Sequence, residues 1–406
     1  MSQFDVIISG GGMVGASLAH ALTGHGLRIA VIEAFPVSTD DQPSYDDRAI
    51  ALSYGSRRIL DALGLWQQIE PDAEAIKKIH VSDQGHFGFA RLDHEEEGVD
   101  ALGYVVTARD LGQSLLPSLT ACPDVQLFCP ASLVDFTVGD KDVAVTIEAN
   151  GQRQTLNASL LVAADGGQSL VRQQLGIAVK DVAYGQSAII SNVTAQKAHG
   201  NVAYERFTQA GPVALLPMSD NRCALVYTVE NKDLDEAMAL SDEAFLKNLQ
   251  HRFGYRLGRF LRIGQRVAYE LRLKEVVEHV KPRVALIGNA AHTVHPIAGQ
   301  GFNLGIRDVA VLAEVILDAR RAGQDYGLLE ILQRYAEWRR KDHRSVMFAT
   351  DSMVRLFSNP LNIVKSARNL GILAADMLPG ARHWISRQAM GLAGRQSKLS
   401  RGVPLE

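Results

Sequence analysis

The chain has 406 residues, of which 47% are hydrophobic and 21% are charged, and its net charge at pH 7 is −3. These values are ordinary for a soluble globular protein, and the length predicts two domains. The negative balance argues against general nucleic-acid binding, and no apolar stretch reaches the roughly 18 residues that a spanning helix needs. The opening MSQFDVIISG lacks the basic start of a signal peptide, and three cysteines without metal or disulfide spacing favour a reducing cytoplasm.

A strand, a glycine loop and a helix follow one another at the start of the chain. The apolar run at 4–9 predicts a buried strand, and Gly10, Gly12 and Gly15 then form G-x-G-x-x-G ahead of a helical pattern. The glycines permit a tight turn, close approach of a pyrophosphate and close packing of helix on strand. Glu33 ends the next strand, where it can accept hydrogen bonds from a ribose 2′-OH. The pattern predicts a site for a dinucleotide, either FAD or NAD.

The middle of the chain changes in texture. Residues 77–93 alternate around a glycine turn. Later strand-like segments, separated by turn residues, lie at 188–194, 202–207, 213–218, 223–229 and 266–273. This pattern predicts a mostly antiparallel sheet inserted into an α/β unit, to which the buried-strand candidates 160–165 and 283–288 belong. Helical spacing returns at 303–322 and 328–357.

The C-terminal region differs in charge, because Arg355 to Glu406 holds eight basic and two acidic residues. Two short amphipathic segments flank Pro379, and their apolar residues are Leu370, Leu373 and Met377 before it and Trp384, Ile385 and Leu392 after it. Two interpretations stay open. The region is either a helical cap packed on the body or a surface that docks on an anionic membrane or a partner protein.

Two more stretches, together with the first loop, resemble a known family. They are AADGGQSLVR, at 163–172, and RVALIGNAAHTVHPIAGQGFNLGIRD, at 283–308. In this order and spacing the three stretches resemble the signatures of the class A FAD-dependent aromatic monooxygenases, along nearly the whole chain. DDRAIALSYGS and ERFTQAGPVALLPMSD make the sequence most similar to the ubiquinone-biosynthesis hydroxylases of that class.

The resemblance completes the predicted fold. The fold class is α/β, with a Rossmann-like FAD-binding domain, an inserted, mostly antiparallel β-sheet substrate domain and C-terminal helices, as in the para-hydroxybenzoate hydroxylase fold. The predicted FAD-binding domain is discontinuous and comprises residues 1–75, 105–180 and 275–325. The predicted substrate domain comprises 76–104 and 181–274, and the C-terminal helical region is 326–406.

The resemblance also implies which residues bind the cofactor. The implied contacts are Gly10, Gly12, Met13, Gly15, Glu33, Arg48, Arg109, Val134, Asp165, Gly288, Asn289, Pro296, Gly299, Gly301, Phe302 and Asn303. The two arginines are implied to meet flavin or pyrophosphate, and the backbone of Val134 to meet the adenine. Surface ion pairs remain the alternative for the arginines. Asn289 stands where the family usually has aspartate, so it can hydrogen-bond without bringing a charge.

Two further assignments keep an alternative. Asp165 is implied to serve both FAD and nicotinamide, or else it is a helix-cap or turn acid. The substrate pocket candidates are Phe207, Leu216, Pro217 and His295, and ordinary sheet core, or a structural histidine, is the alternative. His292 and His295 lie three apart in a loop without a third ligand in register, so no metal site is predicted.

A second G-x-G-x-x-G for a resident nicotinamide is missing from the sequence. The resemblance therefore implies that NAD(P)H binds transiently and reduces FAD. It further implies that O2 adds to form a C4a-hydroperoxide, which oxidises the ring of a polyprenylated phenol in ubiquinone biosynthesis. Three alternatives stay open: a hydroxylase of a small soluble aromatic, a flavin reductase of isoprenoids, and a non-catalytic flavin-bound subunit of a quinone-biosynthesis complex. The expected location is the cytoplasm, where the basic C-terminal region would hold the protein at the surface of the inner membrane.

Overall fold

The computed structural model describes residues 3–36, 48–85, 89–293, 299–357 and 378–405. The strands in these ranges are β1 (Phe4–Ser9), β2 (Ile29–Ile32), β3 (Ala49–Ser53), β4 (Glu74–Ile76), β5 (Lys78–Asp83), β6 (Phe89–Asp93), β7 (Gly103–Thr107), β8 (Val125–Phe128), β9 (Ser132–Val138), β10 (Val143–Ala149), β11 (Gln152–Ala163), β12 (Val179–Ala195), β13 (Val202–Phe207), β14 (Val213–Met218), β15 (Arg222–Glu230), β16 (Phe260–Ile263), β17 (Val267–Val276), β18 (Val280–Lys281), β19 (Val284–Leu286) and β20 (His292–Thr293). The α-helices are α1 (Met13–Leu22), α2 (Tyr54–Ala62), α3 (Trp66–Ile69), α4 (His94–Glu97), α5 (Ala108–Leu115), α6 (Leu170–Gln174), α7 (Leu234–Ala239), α8 (Asp242–Phe253), α9 (Gln300–Arg321), α10 (Leu329–Phe357) and α11 (Pro379–Ala389).

The first sheet is parallel at its centre, as the β-α-β pattern predicts. Its strand order is β18-β19-β11-β1-β2-β8, and β1 pairs in parallel with both β2 and β11. Apolar residues of β1 point to both faces, because Val6 and Ile8 pack with helices α1 and α9 while Ile7 packs with β10 and β11. A strand covered on both sides is typical of a parallel sheet. The carboxyl end of β1 therefore opens directly into the glycine loop.

The second sheet is the inserted one. Its order is β20-β17-β12-β15-β14-β13-β5-β6, with β16 beside β12, and its pairs are antiparallel except for β13 with β5. The predicted strands at 202–207 and 213–218 are confirmed with the same bounds, whereas β12 begins at Val179 instead of residue 188. One face packs on α8 around Phe245 and Leu249. The opposite face is turned toward the first part of the chain.

A third, small sheet joins the other two. It consists of β3, β7 and β4, and no pattern in the sequence predicts it, because strands of three to five residues are too short to show alternation. Ala49 of β3 and Val105 of β7 pack with Ala203 and Leu216 of the inserted sheet. On the alternate face of β3, Leu52 packs into the large core with α9. This small sheet thus fixes the inserted sheet against the rest.

The C-terminal segment is mainly a packed cap in its described part. Met390 is buried beside β6, and Leu399 and Leu405 enter the large core. Trp384 of α11 is 64% exposed, so it does not share the covered side of Ile385 as the amphipathic pattern predicts. Leu370, Leu373 and Met377 lie outside the described residues. Within the described ranges, no helix combines the length and the apolar character that crossing a bilayer requires.

The predicted fold class is confirmed by the two large sheets and the C-terminal helices. The predicted domain boundaries remain a proposal.

Candidate cofactor site

The glycine loop between β1 and α1 leaves no room for side chains at two of its positions. Gly10 has φ +100°, and a Cβ there would lie 2.5 Å from the carbonyl oxygen of Ala164. A Cβ on Gly15 would lie 1.9 Å from the oxygen of Gly10. Gly12 is the N-cap of α1 and offers no side chain to its first-turn N–H groups. Free N–H groups and the helix dipole at such a terminus suit a phosphate.

Glu33 lies at the end of β2, where the pattern predicts it. Its side chain is buried, with Oε2 accepting from the N–H of Gly11 at 2.7 Å and Oε1 accepting from the N–H of Phe35 at 2.9 Å. Each carboxylate oxygen has a second lone pair. The loop thus orients the carboxylate and leaves it acceptor capacity for a ribose hydroxyl. The carbonyl of Glu33 accepts from Ala131 N–H, which brings β9 and Val134 to the same end of the sheet.

Val14 of α1 brings the glycine loop and the stretch 283–308 into contact. A Cβ on Gly288 would lie 3.1 Å from Cγ1 of Val14, and one on Gly305 would lie 2.8 Å from its Cγ2. Gly288 also has φ +58°, which disfavours any side chain. The side chain of Val14 therefore fits between two glycines that lie far away along the chain. The distant loops close on one another.

The stretch 163–172 supplies an unsatisfied hydrogen-bond acceptor next to the glycine loop. Oδ2 of Asp165 accepts from the N–H of Val171 at 3.3 Å, whereas its Oδ1 is buried and has no hydrogen-bond partner among the described residues. Burial raises the pKa of Asp165. Because buried polar atoms are almost always paired, an orphaned oxygen beside Gly10 indicates that a bound group completes the site. The turn-acid role is also real, since Asp165 contacts the start of α6.

Helix α9 begins at the third motif with an open approach. Its N-cap Gly299 has φ +61°, and a Cβ there would lie 2.6 Å from Cβ of Ala51. A Cβ on Gly301 would meet nothing within 4 Å in the part of the chain that the structure describes. The first-turn N–H groups of a helix have no acceptor inside it and carry its positive dipole end. This terminus, at Gly301 and Phe302, can therefore receive an electron-rich group.

Alanine at Gly301 is expected to separate folding from cofactor binding. Since the side of Gly301 is open in the protein alone and its φ is unstrained, Gly301→Ala should unfold at the wild-type denaturant concentration or slightly above it. If the open space is where the cofactor approaches, the same variant should bind FAD at least about tenfold more weakly, from a loss of about 1.4 kcal/mol. Titration of FAD fluorescence measures this, and unchanged affinity would contradict the placement.

Asn303 has a different role from the one the resemblance implies. Its Oδ1 accepts from Ser53 N–H at 2.8 Å and Ser56 Oγ at 2.7 Å, and its Nδ2 donates to the carbonyls of Ala51 and Gly299, both at 2.8 Å. An amide side chain with four such bonds has little left for a cofactor. Asn303 therefore ties the start of α9 to β3 and α2, and positions the open turn rather than contacting a ligand through its side chain.

Asp308, which the sequence did not single out, holds the loop at 288–292 in place through hydrogen bonds. Its side chain is fully buried and accepts four hydrogen bonds. Oδ2 accepts from Gly288 N–H at 3.1 Å and His292 Nε2–H at 2.8 Å, and Oδ1 accepts from Arg339 Nε–H and His343 Nε2–H, both at 2.7 Å. Burial opposes ionisation, but His343, Arg339 and His292 hold the pKa of Asp308 well below its ordinary value.

This network resembles a metal site in its ligand types but not in its charge. His292, Asp308 and His343 each offer one atom within 4.8 Å of the others. Both oxygens of Asp308 already accept from N–H donors, and the guanidinium of Arg339 would repel a cation placed there. We interpret the cluster as a neutralised hydrogen-bond network that holds the loop at Gly288.

The histidines of this network make stability depend on pH. Nε2 of His343 lies 2.7 Å from Oδ1 of Asp308, and its Nδ1 lies 3.0 Å from Nε2 of His279. We assign a neutral ring to both histidines, with His343 donating to Asp308 and accepting from His279. Burial lowers the pKa of His279 to about 4 and that of His343 to about 3. Between the unfolded value, about 6.5, and these folded values, the unfolded chain binds more protons.

The free energy of unfolding is therefore expected to fall as the pH is lowered from about 6.5 to about 4, by up to about 1.4 kcal/mol per pH unit for each histidine. Urea unfolding at a series of pH values measures the slope. His279→Gln removes one of the two titrating histidines and should reduce that slope by the contribution of that histidine, whatever its effect on stability at neutral pH. A slope that is the same in both proteins would contradict the assignment.

The two predicted arginines lie on neighbouring backbones. The carbonyl of Arg48 accepts from the N–H of Ala108, and Arg109 follows in the first turn of α5. The guanidinium carbon of Arg48 lies 5.3 Å from the ring centre of Tyr269, on β17 of the inserted sheet. Arg48 thus spans from the small sheet to the inserted one. Asn289 is exposed at the turn after β19, as a ligand-binding side chain would be.

The substrate candidates do not share one face. Leu216 packs with the small sheet, whereas Pro217 is paired in register with Cys223, which faces α8. Residues opposite one another in a ladder share a face, so Pro217 points away from Leu216. Phe207 is buried on the side of Leu216, by its alternation with Ala203. His295 and Pro296 lie outside the described residues.

Comparison with known proteins identifies the family of this chain. The sequence profile of a family described as FAD binding domain matches residues 3–348. Ubiquinone hydroxylase UbiL of Rhodospirillum rubrum is 39% identical, over 99% of this chain and 93% of that protein. The 3-demethoxyubiquinol 3-hydroxylase of Escherichia coli is 33% identical, over 96% and 98%. The crystal structure of p-nitrophenol 4-monooxygenase PnpA from Pseudomonas putida DLL-E4 superposes with a TM-score of 0.80 at 21% identity, covering 98% of this chain and all of the other.

The chain therefore belongs to the FAD binding domain family and, within it, to the ubiquinone-biosynthesis hydroxylases, which are FAD-dependent aromatic monooxygenases. Its cofactor is FAD, with NAD(P)H and O2 as co-substrates. The residues fit this group. The glycine loop cannot hold side chains, Asp165 presents an orphaned oxygen, and Gly301 leaves the start of α9 open.

Proposed function

We propose that this protein hydroxylates the aromatic ring of a polyprenylated phenol in ubiquinone biosynthesis. The observation that carries the proposal is the convergence of four distant segments beside an apolar sheet face. These segments are the loop at Gly10–Gly15, the small sheet with Arg48 before it, the turn at Asp165 and the start of α9. Relatives that match over nearly the whole chain are named for ubiquinone hydroxylation, which supports the same pathway for this chain.

When bound, FAD would supply the oxidising chemistry, which is acceptance of a hydride from NAD(P)H and activation of O2. The protein's residues do the rest. The N–H groups of the glycine loop bind the pyrophosphate, and Glu33 orients the ribose. The amino end of α9 stabilises negative charge on the flavin ring. The apolar sheet face excludes water from the reacting ring. The oxygen-transfer route expected from the resemblance remains part of the proposal.

The inserted sheet suits an apolar substrate. On the face of the sheet opposite α8, one row of residues runs in register across adjacent strands. The row is apolar apart from Glu205, and its other members include Val81, Ala214, Val226 and Ile190. Val81, Val226 and Ile190 stay partly exposed although they lie on inner strands of the sheet. Such a surface favours a ring with a long prenyl chain. In detail the sequence resembles 2-polyprenyl-6-methoxyphenol hydroxylase, so we propose that substrate.

Quinone intermediates in a strain without this gene test the proposal. We expect ubiquinone to be lost and a polyprenylphenol that lacks one ring hydroxyl to accumulate, identified by mass spectrometry. Re-expression of the wild-type chain should restore the quinone. Normal quinone levels would contradict the proposal and favour a hydroxylase of a small soluble aromatic. Restoration by a variant that cannot oxidise NAD(P)H would favour the non-catalytic subunit.

We further propose that the C-terminal region holds the protein at an anionic membrane surface, where its substrate resides. Support comes from the basic charge of 355–406 and from the exposed side chains of Leu378 and Trp384, which are 58% and 64% accessible. Deletion is an unsuitable test, because Leu399 and Leu405 belong to the core.

Substitution of Trp384 by serine should weaken co-sedimentation with vesicles that contain anionic lipid. Tyr255→Ser, at a site that is 70% exposed and far along the chain from the basic region, is the matched control and should sediment like the wild type. Equal sedimentation of all three proteins would contradict membrane docking by α11.

A further inference from the structure

Glu205 is the charged exception in the apolar row of the inserted sheet. On β13 it is paired with Val81 of β5 on one side and Ala214 of β14 on the other. The row continues in register through Val226 to Ile190. Residues opposite one another in a sheet share a face, so the carboxyl group projects from the same surface as these apolar side chains.

This surface is the one that meets the cofactor-binding segments. Ala203, two residues before Glu205 and on the same face, packs with Ala49 of β3. Ala51, again two residues on and on the same face of β3, is the residue that a Cβ on Gly299 would strike. The sheet face with Glu205 and the start of α9 therefore approach the same side of β3, one strand repeat, about 7 Å, apart along it.

The surroundings of Glu205 do not neutralise it. No basic side chain among the described residues forms an ion pair with it. The adjacent Arg206 lies on the opposite face and donates from Nε to the carbonyl of Arg252 at 3.0 Å. The nearest acid on its own face is Asp83, at the end of β5. Burial raises the pKa of Glu205 to about 7, although the side chain keeps some contact with solvent.

A carboxyl group that has no ion-pair partner among the described residues costs stability in an apolar row and adds nothing to packing. Such an exception indicates function when it lies on a surface beside a proposed cofactor site. A phenol is oxidised more readily after it loses its hydroxyl proton, because the ring becomes richer in electrons. The proton needs an acceptor close to the bound ring, and a base that titrates near the working pH is the most effective one.

We propose that Glu205 is the general base that removes the phenolic proton of the substrate, an inference that rests on the proposed function. The O–H bond of the phenol breaks, its electron pair stays on the phenolic oxygen, and the proton forms an O–H bond with a carboxylate oxygen of Glu205. The ring then accepts oxygen as a phenolate. The proton leaves to solvent afterwards, through the exposed side of the carboxyl group.

The test compares wild type, Glu205→Gln, Glu205→Asp and Glu230→Gln, all loaded with FAD. Glu230 is an exposed carboxylate on β15, paired with Lys232, and serves as the matched control. The measurement is kcat for hydroxylation of a phenol carrying a short prenyl chain, from about pH 5 to about pH 9. The second readout is the absorbance of bound phenolate at neutral pH.

We expect kcat of the wild type and Glu230→Gln to rise through about pH 7. Glu205→Gln should lose that inflection and about 10²–10⁴-fold of kcat at neutral pH, recover rate as the pH approaches the phenol's own pKa, about 10, and show no bound phenolate. Glu205→Asp should regain the inflection and part of the rate. The inference is overturned if Glu205→Gln keeps the wild-type profile, or if Glu205→Asp is as inactive as Glu205→Gln. A wild type that ionises the phenol without hydroxylating it would contradict the proposed function and leave the base intact.

Discussion

Replacement of Asp308 by asparagine is expected to lower the free energy of unfolding by about 3–5 kcal/mol, the usual cost of breaking a buried ionic network from one side. The carboxylate accepts from four donors, two in the segment 288–292 and two on helix α10, and an amide oxygen cannot serve them all. The amide NH2 group would point at donors instead, and Arg339 would lose part of its charge compensation. The loop at Gly288 should detach as a result.

The loss should also appear as weaker FAD binding, since the loop that Asp308 holds is part of the proposed cofactor site. Urea unfolding and FAD retention after gel filtration measure the two effects. Asp318→Asn, on the same helix, removes an exposed carboxylate that pairs with Arg321, and it should cost less than about 1 kcal/mol. Equal stability of the two variants would show that the network does not support the loop.

Alanine at Gly15 is expected to have the second large effect. The added Cβ would lie 1.9 Å from the carbonyl oxygen of Gly10, a backbone atom that no rotamer change can move away. Ordinary overpacking costs about 1–3 kcal/mol, and a main-chain clash of this depth should exceed the upper part of that range. Relief requires α1 to move off β1, which opens the phosphate site. Gly15→Ala should therefore be purified without bound flavin.

Gly380→Ala is the control for that experiment. It adds the same methyl group within helix α11, where no described residue lies within 4 Å of the new atom, so it should keep FAD and be slightly more stable. Flavin absorbance at equal protein concentration compares the three proteins. A Gly15→Ala protein with a full complement of FAD would mean that the loop does not bind the pyrophosphate.

Local patterns predicted the parts of this fold that local sequence determines. The loop from Gly10 to Gly15 carries its geometry in its residue types, since only glycine tolerates φ +100° at Gly10 or the contact at Gly15. The strands β13 and β14 follow from alternation between turn residues. The three-stranded sheet was missed because its members are short and gain their stability from contacts with both neighbours.

Residues whose partners lie far away in the sequence could not be predicted from local patterns. Asp308 is an ordinary acid in a helical pattern until Arg339 and His343 of the next helix converge on it. The resemblance implies that Asn303 contacts the cofactor, but three of its four side-chain hydrogen bonds join it to β3 and α2, far earlier in the chain. Glu205 alternates with apolar residues as a solvent-facing residue would, and the register of neighbouring strands is needed to place it on the sheet face that meets the small sheet.

The most direct test of the central claim follows the oxygen atom. The FAD-loaded chain is incubated with NAD(P)H, a prenylated phenol and isotopically labelled O2 in ordinary water, and the product is analysed by mass spectrometry. We predict one labelled oxygen on the ring, at a rate that depends on bound FAD. Intact FAD-loaded protein that leaves the phenol unchanged, or that inserts oxygen from water, would contradict the account.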